Sequence, residues 1–273
     1  MPELPEVETL KRELAKVVVG KTIKNFESAK FKLPELVGKK VVEVERRAKV
    51  LIIKLAGKFT LLVHLKMTGQ LIFKPKTGQL VIGGHPQENP FKYTRAVFTF
   101  TDGAQLFFND LRKFGWLKLV AETDLLKIFS ETGVEPLSKD FTLEKFKTIL
   151  ARYPHRPLKQ LLLDQRLIAG LGNIYVDEAC FLARVLPTRQ VSSLTPAEVK
   201  KLHTNIIAVL KLSIAKKGTS ARHYRRADGR RGGFVPYLNV YGRQKQICKV
   251  CGTPITKIKW HGRGTHYCQH CQK

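Results

Sequence analysis

Two cysteine pairs near the C-terminal end, Cys248-x2-Cys251 and Cys268-x2-Cys271, constrain the fold of this chain more than any other feature. They sit in a tail that carries no acidic residue after Asp228. Two CxxC pairs so spaced deliver four thiolates to one tetrahedral, structural Zn²⁺. Two disulfides are the competing arrangement, but they belong to an oxidising compartment that nothing else in the sequence suggests. The intervening segment, with Lys257, Lys259, Arg263 and His266, cannot bury a core alone. It reads as a zinc-pinned β-hairpin offering cations and backbone N–H groups to phosphate.

The charge balance points the same way. Forty-nine Lys+Arg against 22 Asp+Glu gives a formal net charge of +27. Solubility does not call for so large an imbalance, whereas a polyanion does, because each neutralised phosphate releases counterions. An anionic membrane surface is the competitor, yet no long basic amphipathic helix is present to meet it. The start MPELPEVETL puts Glu3, Glu6 and Glu8 where a signal peptide needs cations. No stretch approaches the roughly 18 apolar residues of a membrane span. The expectation is a soluble, intracellular protein without membrane contact.

At 273 residues the chain has room for two cores. Val7, Leu10, Leu14, Val17 and Val18 recur at helical spacing before Gly20. Two blocks rich in β-branched and aromatic residues follow, from Lys39 and from Arg95, and the second holds Asp102-Gly103 as a hairpin signal. They predict a β-sandwich or barrel-like first domain behind one leading helix. The Pro- and Gly-containing stretch 74–90, with Gly83-Gly84, reads as a mobile loop. Helical patterns return in PLKQLLLDQRLIAG, and Gly172 leads to Asn173, a good N-cap for IYVDEACFLAR. Thr195-Pro196-Ala197-Glu198 is a capping box opening a helix to about Ala215. Residues 219–243 form an Arg- and Gly-rich loop containing Arg222, Arg225, Arg226, Arg230 and Arg231. Cys180 lies inside a helical pattern and reads as a small packed residue.

Taken singly, the candidate chemical groups have ordinary structural readings. Pro2, freed of Met1, is a secondary amine that is partly uncharged near neutrality, but proline at position 2 is common. Glu3 alone is a surface or helix-dipole carboxylate. Lys49 follows Arg46 and Arg47 at a strand turn and reads as a solvated basic edge. Gly170-Leu171-Gly172-Asn173 offers N–H groups to an anion, or is a plain helix corner. Met67 and Phe114 read as core residues, and Arg112 as a surface cation.

In combination these residues carry a resemblance. MPELPEVET, RRAKVL, HLKMTG, DLRKFG, DQRLIAGLGNIYVDE and GRGTHYC occur here in the order found in the bacterial formamidopyrimidine-DNA glycosylases, and the match runs over essentially the whole chain. Leu4 points to this purine-damage branch, since the related endonuclease VIII enzymes begin PEGPE. The resemblance implies an α+β protein. A β-sandwich domain with a leading helix (1–125) precedes a helix–two-turn–helix domain (135–220), a lesion-capping loop and connector (221–243) and a four-cysteine zinc hairpin (244–273). It further implies a bifunctional glycosylase and abasic-site lyase, a cytoplasmic, nucleoid-associated monomer, that acts on double-stranded DNA containing oxidised purines.

In that family the N-terminal proline attacks C1′ of the damaged nucleotide, and Pro2 matches it. Glu3 matches the general acid/base, and Lys49 an essential lysine beside the lesion phosphate and leaving base. Asn173 and Arg263 match phosphate clamps, and His64 and Lys159 further positions near the backbone or the lesion. Met67, Arg112 and Phe114 match the residues that fill the gap left by the flipped nucleotide, and Thr219–Tyr224 the segment that closes over the base. The chain departs from the pattern at Ala48, usually Gly, at Lys66 and at Leu111, and in the arginine content of the loop. An oxidised-pyrimidine enzyme of the endonuclease VIII type and a non-catalytic zinc-dependent DNA-binding protein are the competing readings.

Overall fold

In the computed structural model, which describes residues 1–77, 81–82, 85–86, 91–221 and 223–273, the chain divides into two compact units. The first contains Met1–Ser130 together with Lys216–Gly233, and the second Glu131–Ala215 together with Phe234–Lys273. The loop following the last long helix thus packs with the N-terminal sandwich. Among the described residues, no helix is long and apolar enough to cross a membrane. The Gly83-Gly84 part of the expected mobile loop, and Arg222, lie outside the described residues.

The first unit opens with helix α1 (Leu4–Val18), which buries Leu4, Val7, Leu10, Leu14 and Val18 along one face and stops before Gly20, at φ 86°. Strands β1 (Ile23–Glu27), β2 (Val41–Arg47), β3 (Val50–Leu55), β4 (Phe59–His64) and β5 (Gly69–Lys74) follow. A two-residue ribbon, β6 (Val81–Ile82) and β7 (His85–Pro86), precedes β8 (Thr94–Phe100), β9 (Gln105–Asp110) and β10 (Trp116–Ala121). The pairings are antiparallel and give two four-stranded sheets, ordered β1-β8-β9-β5 and β10-β4-β3-β2. Alternation along the strands turns Phe98, Phe100, Leu106 and Phe108 of one sheet and Val44, Leu51, Ile53, Leu61 and Val63 of the other into a single core shared with α1. The Asp102-Gly103 signal lies in the β8–β9 turn, where Gly103 takes φ 86°. The outer face of the second sheet buries Ile52, Leu62 and Val120 beneath the short helix α2 (Leu125–Phe129).

Helices α3 (Leu143–Ala151), α4 (Leu158–Leu163), α5 (Asn173–Ala183) and α6 (Pro196–Ala215) build the second unit around a separate core that includes Phe146, Leu161, Tyr175, Ile206 and Leu210. The capping box at the start of α6 is present, with Glu198 accepting the Thr195 amide at 2.8 Å and Thr195 Oγ1 accepting the Glu198 amide at 3.3 Å. One expectation is corrected. Gly172, not Asn173, caps α5: Gly172 adopts the extended cap conformation and Asn173 is already the first helical residue, with its side-chain amide donated to the Gly264 carbonyl. The unit ends in the hairpin β11 (Thr256–Trp260) and β12 (Arg263–Tyr267). Cys180 is fully buried, and burial pushes its thiol pKa far above the ordinary value, so it is an inert packing residue.

Ala48 sits in the β2–β3 turn at φ 53°, a left-handed conformation that suits glycine. Ala48→Gly is expected to raise stability by about 0.5–1 kcal/mol, the relieved Cβ strain outweighing the added chain entropy. A urea midpoint that falls or stays unchanged counts against this account.

Candidate active site and nucleic-acid interface

The N-terminus of α1 is an enclosed polar site of the first unit. Pro2 is buried, and Glu3 is 2 % exposed and forms a reciprocal capping box with Glu6. Glu6 carries two segments at once. Its Oε2 accepts the amide of Glu3 at 2.8 Å and its Oε1 the amide of Thr219 at 2.7 Å. The start of the loop after α6 is thereby fastened to the start of the chain. Two further contacts hold the loop. Glu13 accepts Arg226 Nε at 2.7 Å and the Ala227 amide at 2.9 Å, while the Ala227 carbonyl accepts the Phe73 amide of β5 at 2.8 Å. Tyr224 and Ala227 are buried in the sandwich core. Glycine is required at the base of the loop, because a Cβ on Gly232 would lie 2.3 Å from the Gly218 carbonyl oxygen.

Lys49 is 6 % exposed, not a solvated edge. Its turn is tied to α1 through Glu8, which accepts Arg46 Nε at 3.1 Å and Arg12 Nε at 2.7 Å, while Arg46 donates to the Ala48 carbonyl at 2.9 Å. Burial alone would raise the Glu8 pKa, but the two guanidinium groups hold it below the ordinary value. His64 pairs in register with Val50, next to Lys49, and its ring lies 5.5 Å from that of Trp116. Burial, with the cations Lys66 and Lys49 beside it, lowers its pKa to about 4. Its Nδ1 accepts the Lys66 amide at 2.9 Å, which leaves the proton on Nε2. At neutral pH His64 is therefore a fixed, uncharged donor.

Met67, Arg112 and Phe114 are exposed on two neighbouring turns of the same unit, with the Arg112 guanidinium 4.8 Å from the centre of the Phe114 ring. Half-exposed apolar groups set among cations suit insertion into a base stack better than a core, contrary to the plain reading of Met67 and Phe114.

In the second unit a buried carboxylate organises the hairpin. Asp177 of α5 accepts Lys159 Nζ at 2.5 Å, the His266 amide at 2.9 Å and His266 Nδ1 at 3.0 Å. Lys159 Nζ also donates to the Gly264 carbonyl at 3.1 Å, and Asn173 Nδ2 to the same carbonyl at 2.8 Å. Asn173, Lys159 and the strand bearing Arg263 are thus brought together. Arg263 projects exposed from the hairpin end, beyond a turn in which His261 and Gly262 both take positive φ. Lys159, 1 % exposed, has its ammonium enclosed within the protein. Glu178 beside Asp177 accepts four hydrogen bonds of 2.8–2.9 Å, from the amides of Asn239, Val240 and Tyr241 and from the Asn239 side chain.

The Sγ atoms of Cys248, Cys251, Cys268 and Cys271 lie within 4.8 Å of one another. The Cys248–Cys271 and Cys251–Cys268 separations are 3.9 and 3.5 Å, against the edge of about 3.8 Å that a tetrahedron of Zn–S bonds near 2.3 Å demands. The donor set fits one zinc ion. The knuckles rest on Phe181 of α5 and on Val240, which supply the core the hairpin lacks. Gln272 links them to the end of α5 by accepting from the Cys268 amide and donating to the Val185 carbonyl, each at 2.8 Å.

Sequence reasoning missed Glu6, Glu8 and Glu13 as anchors, and Asp177 and Glu178 as braces. The Glu3/Glu6 spacing of a capping box and the Glu8/Arg12 spacing of one helical turn were the available signals. The other partners lie far apart in the chain and left none.

Two outcomes are expected. His64 has a folded pKa of about 4 against an unfolded value near 6.5. The unfolded chain therefore binds the proton first. The stability due to neutral His64 is complete above pH 6.5 and is lost as pH falls towards 4, by at most about 3 kcal/mol. Urea titrations of His64→Gln should show a flatter pH dependence across this window, and parallel curves refute the assignment. Cys248→Ser should lose zinc and DNA affinity together, and a zinc-free variant that still binds duplex tightly contradicts the structural role of the metal.

Three family models match the chain: the formamidopyrimidine-DNA glycosylase N-terminal domain over residues 1–117, the H2TH domain of the same enzymes over 132–224, and the zinc finger found in FPG and IleRS over 245–273. A formamidopyrimidine-DNA glycosylase of Carboxydothermus hydrogenoformans is 42% identical over 284 residues, covering 100% of both chains. Among solved structures, the Lactococcus lactis Fpg in complex with abasic-site DNA superposes with a TM-score of 0.88 at 35% identity, covering 99% of each chain. A MutM in complex with carbocyclic 8-oxo-G containing DNA gives 0.88 at 35%, covering 100% of each. The chain belongs to the formamidopyrimidine-DNA glycosylase family.

Proposed function

We propose that this protein is a base-excision-repair glycosylase and abasic-site lyase that removes oxidised purines from duplex DNA. One observation carries the reading. Pro2 and Glu3 lie buried at the head of α1, where Glu6 bonds the Glu3 amide and the Thr219 amide at once. A nucleophile and a loop suited to cover a flipped base are thereby held in one rigid arrangement. The relatives solved with abasic-site and 8-oxo-G containing DNA support the substrate class.

On this reading, loss of Met1 frees the Pro2 nitrogen, whose lone pair attacks C1′. The C1′–N bond to the damaged base breaks, its electron pair leaves with the base, and the proton released from the Pro2 nitrogen neutralises that base. Glu3 protonates the sugar-ring oxygen as the ring opens, giving an iminium between Pro2 and C1′. The iminium acidifies the C2′ hydrogen. Loss of that proton expels the 3′ phosphate, and a second elimination expels the 5′ phosphate. Lys49, desolvated at its turn, supplies positive charge beside the lesion phosphate and the departing base. His64 contributes a neutral Nε2–H donor. Met67, Arg112 and Phe114 fill the gap in the duplex, with the guanidinium directed at the orphaned cytosine. Arg263 and the N–H groups at the head of α5 receive phosphates. Lys159 and Asn173 act from behind, holding the Gly264 carbonyl and with it the strand of Arg263. Zinc supplies no chemistry to these steps and stiffens the hairpin.

Borohydride trapping on a duplex with 8-oxoguanine opposite cytosine tests the reading. The protein as it stands is expected to give a covalent adduct. Pro2→Gly should largely abolish excision while leaving duplex binding nearly intact. Equal loss of binding and excision, or an unchanged adduct in a chain that keeps Met1, refutes the role of Pro2.

A further inference from the structure

We propose that Thr68 and Asp110 form a clasp that makes the Met67 turn and the Arg112–Phe114 turn a single inserting unit. The inference rests on the reading of Met67, Arg112 and Phe114 as gap fillers, and assigns positioning roles to two residues that do not themselves enter the duplex.

The two turns belong to different strand connections. Met67 lies between β4 and β5, and Arg112 and Phe114 between β9 and β10. Their strands give them a common base, because Gly69, at the head of β5, pairs with Asp110, at the end of β9. Asp110 is 1 % exposed and Thr68 5 %. Both carboxylate oxygens of Asp110 are used. Oδ2 accepts the Gly115 amide at 2.6 Å; Oδ1 accepts the Thr68 hydroxyl and, at 3.3 Å, the Arg112 amide. Thr68 Oγ1 in turn accepts the Arg112 amide at 3.0 Å. One carboxylate therefore fixes the first and last amides of the segment 112–115, and one hydroxyl joins that segment to the residue next to Met67.

The surroundings leave the clasp little freedom. Lys66 and Lys113 take φ 49° and 60°. A Cβ on Gly69 would fall 2.4 Å from the Leu65 carbonyl oxygen, and one on Gly115 would fall 2.7 Å from the Phe108 ring. From outside, Lys30 Nζ donates to the carbonyls of Lys113 and Gly115 at 2.7 and 2.8 Å. The backbone of the second turn is gripped by an anion beneath its amides and a cation above its carbonyls. Groups that enter a base stack gain from being held in register before they meet it, because ordering them on contact costs binding energy. Without the Thr68 hydroxyl the two turns lose the side-chain link between them, and their wedges move independently.

Thr68→Val keeps the shape of the side chain and removes its hydroxyl, whereas Thr68→Ser keeps the hydroxyl. On an 8-oxoguanine·cytosine duplex, Thr68→Val is expected to lower single-turnover excision on the order of tenfold, the scale of a small misplacement at a reacting site. Cleavage of a preformed abasic site should fall far less, and Thr68→Ser should restore excision. Asp110→Asn, which exchanges one acceptor for a donor, should show the same bias. Met67→Ala and Phe114→Ala are the reference. If they lose excision while Thr68→Val keeps it, the clasp is refuted and the gap-filling reading stands. If they keep it, both fall. Proportional loss of both activities in Thr68→Val, with a lowered melting temperature unrepaired by serine, reduces Thr68 to ordinary packing and also refutes the clasp.

Discussion

A carboxylate removed from water must be given donors, and the architecture of this protein depends on where those donors come from. The chain carries 22 acidic residues against 49 basic ones, yet Glu3, Glu6, Glu8, Asp110, Asp177 and Glu178 are all buried. Many of the donors they take are backbone amides, among them those of Thr219, Arg112, Gly115 and residues 239–241. Hydrogen bonds to a charged group are worth about 1.5–3 kcal/mol each, and an amide left without one costs a comparable amount. These buried acids are thus internal fasteners, while cations such as Arg112 and Arg263 face outward.

The same solution recurs in both units. In the sandwich, Glu6 and Glu13 tie the 216–233 segment to α1, Glu8 ties the Lys49 turn to it through Arg46, and Asp110 gathers the turn that bears Arg112 and Phe114. In the helical unit two adjacent residues of α5 divide the task. Asp177 takes Lys159 and the hairpin at His266, while Glu178 takes the connector at 239–241. Consecutive helical positions point about 100° apart, so one helix reaches two separate segments. In two of these places a group that faces solvent stands one or two residues from the braced one: Arg263 beside Gly264, Arg112 near Asp110. Outward chemistry is set by inward electrostatics.

Much of this was legible in the sequence where the cause was local. The face of α1, the Asp102-Gly103 turn, the Thr195 capping box and the cysteine spacing each depend on residues a few positions apart, and each appears as expected. Reading the residues one by one failed where burial decides. Lys49 looked like a solvated edge and is enclosed; Met67 and Phe114 looked like core and are exposed. The resemblance of the motifs to a family singled out these positions but not how they are held. Asn173 illustrates the limit. Its residue type suits a helix cap, yet it stands inside the first turn behind Gly172, and its side-chain amide meets the carbonyl of Gly264, 91 positions away in the chain.

The sequence by itself determined the leading helix, the β8–β9 turn, the four clustered thiols and, through its motifs, the family, because periodicity and thiol spacing are properties of short segments. Tertiary structure alone decided which ionisable groups are desolvated, which tautomer His64 holds, and which carboxylate secures which loop. Those outcomes depend on the dielectric surroundings and on donors supplied by strands and helices far apart in the chain, and they exist only once both sheets and the α5 helix have been packed.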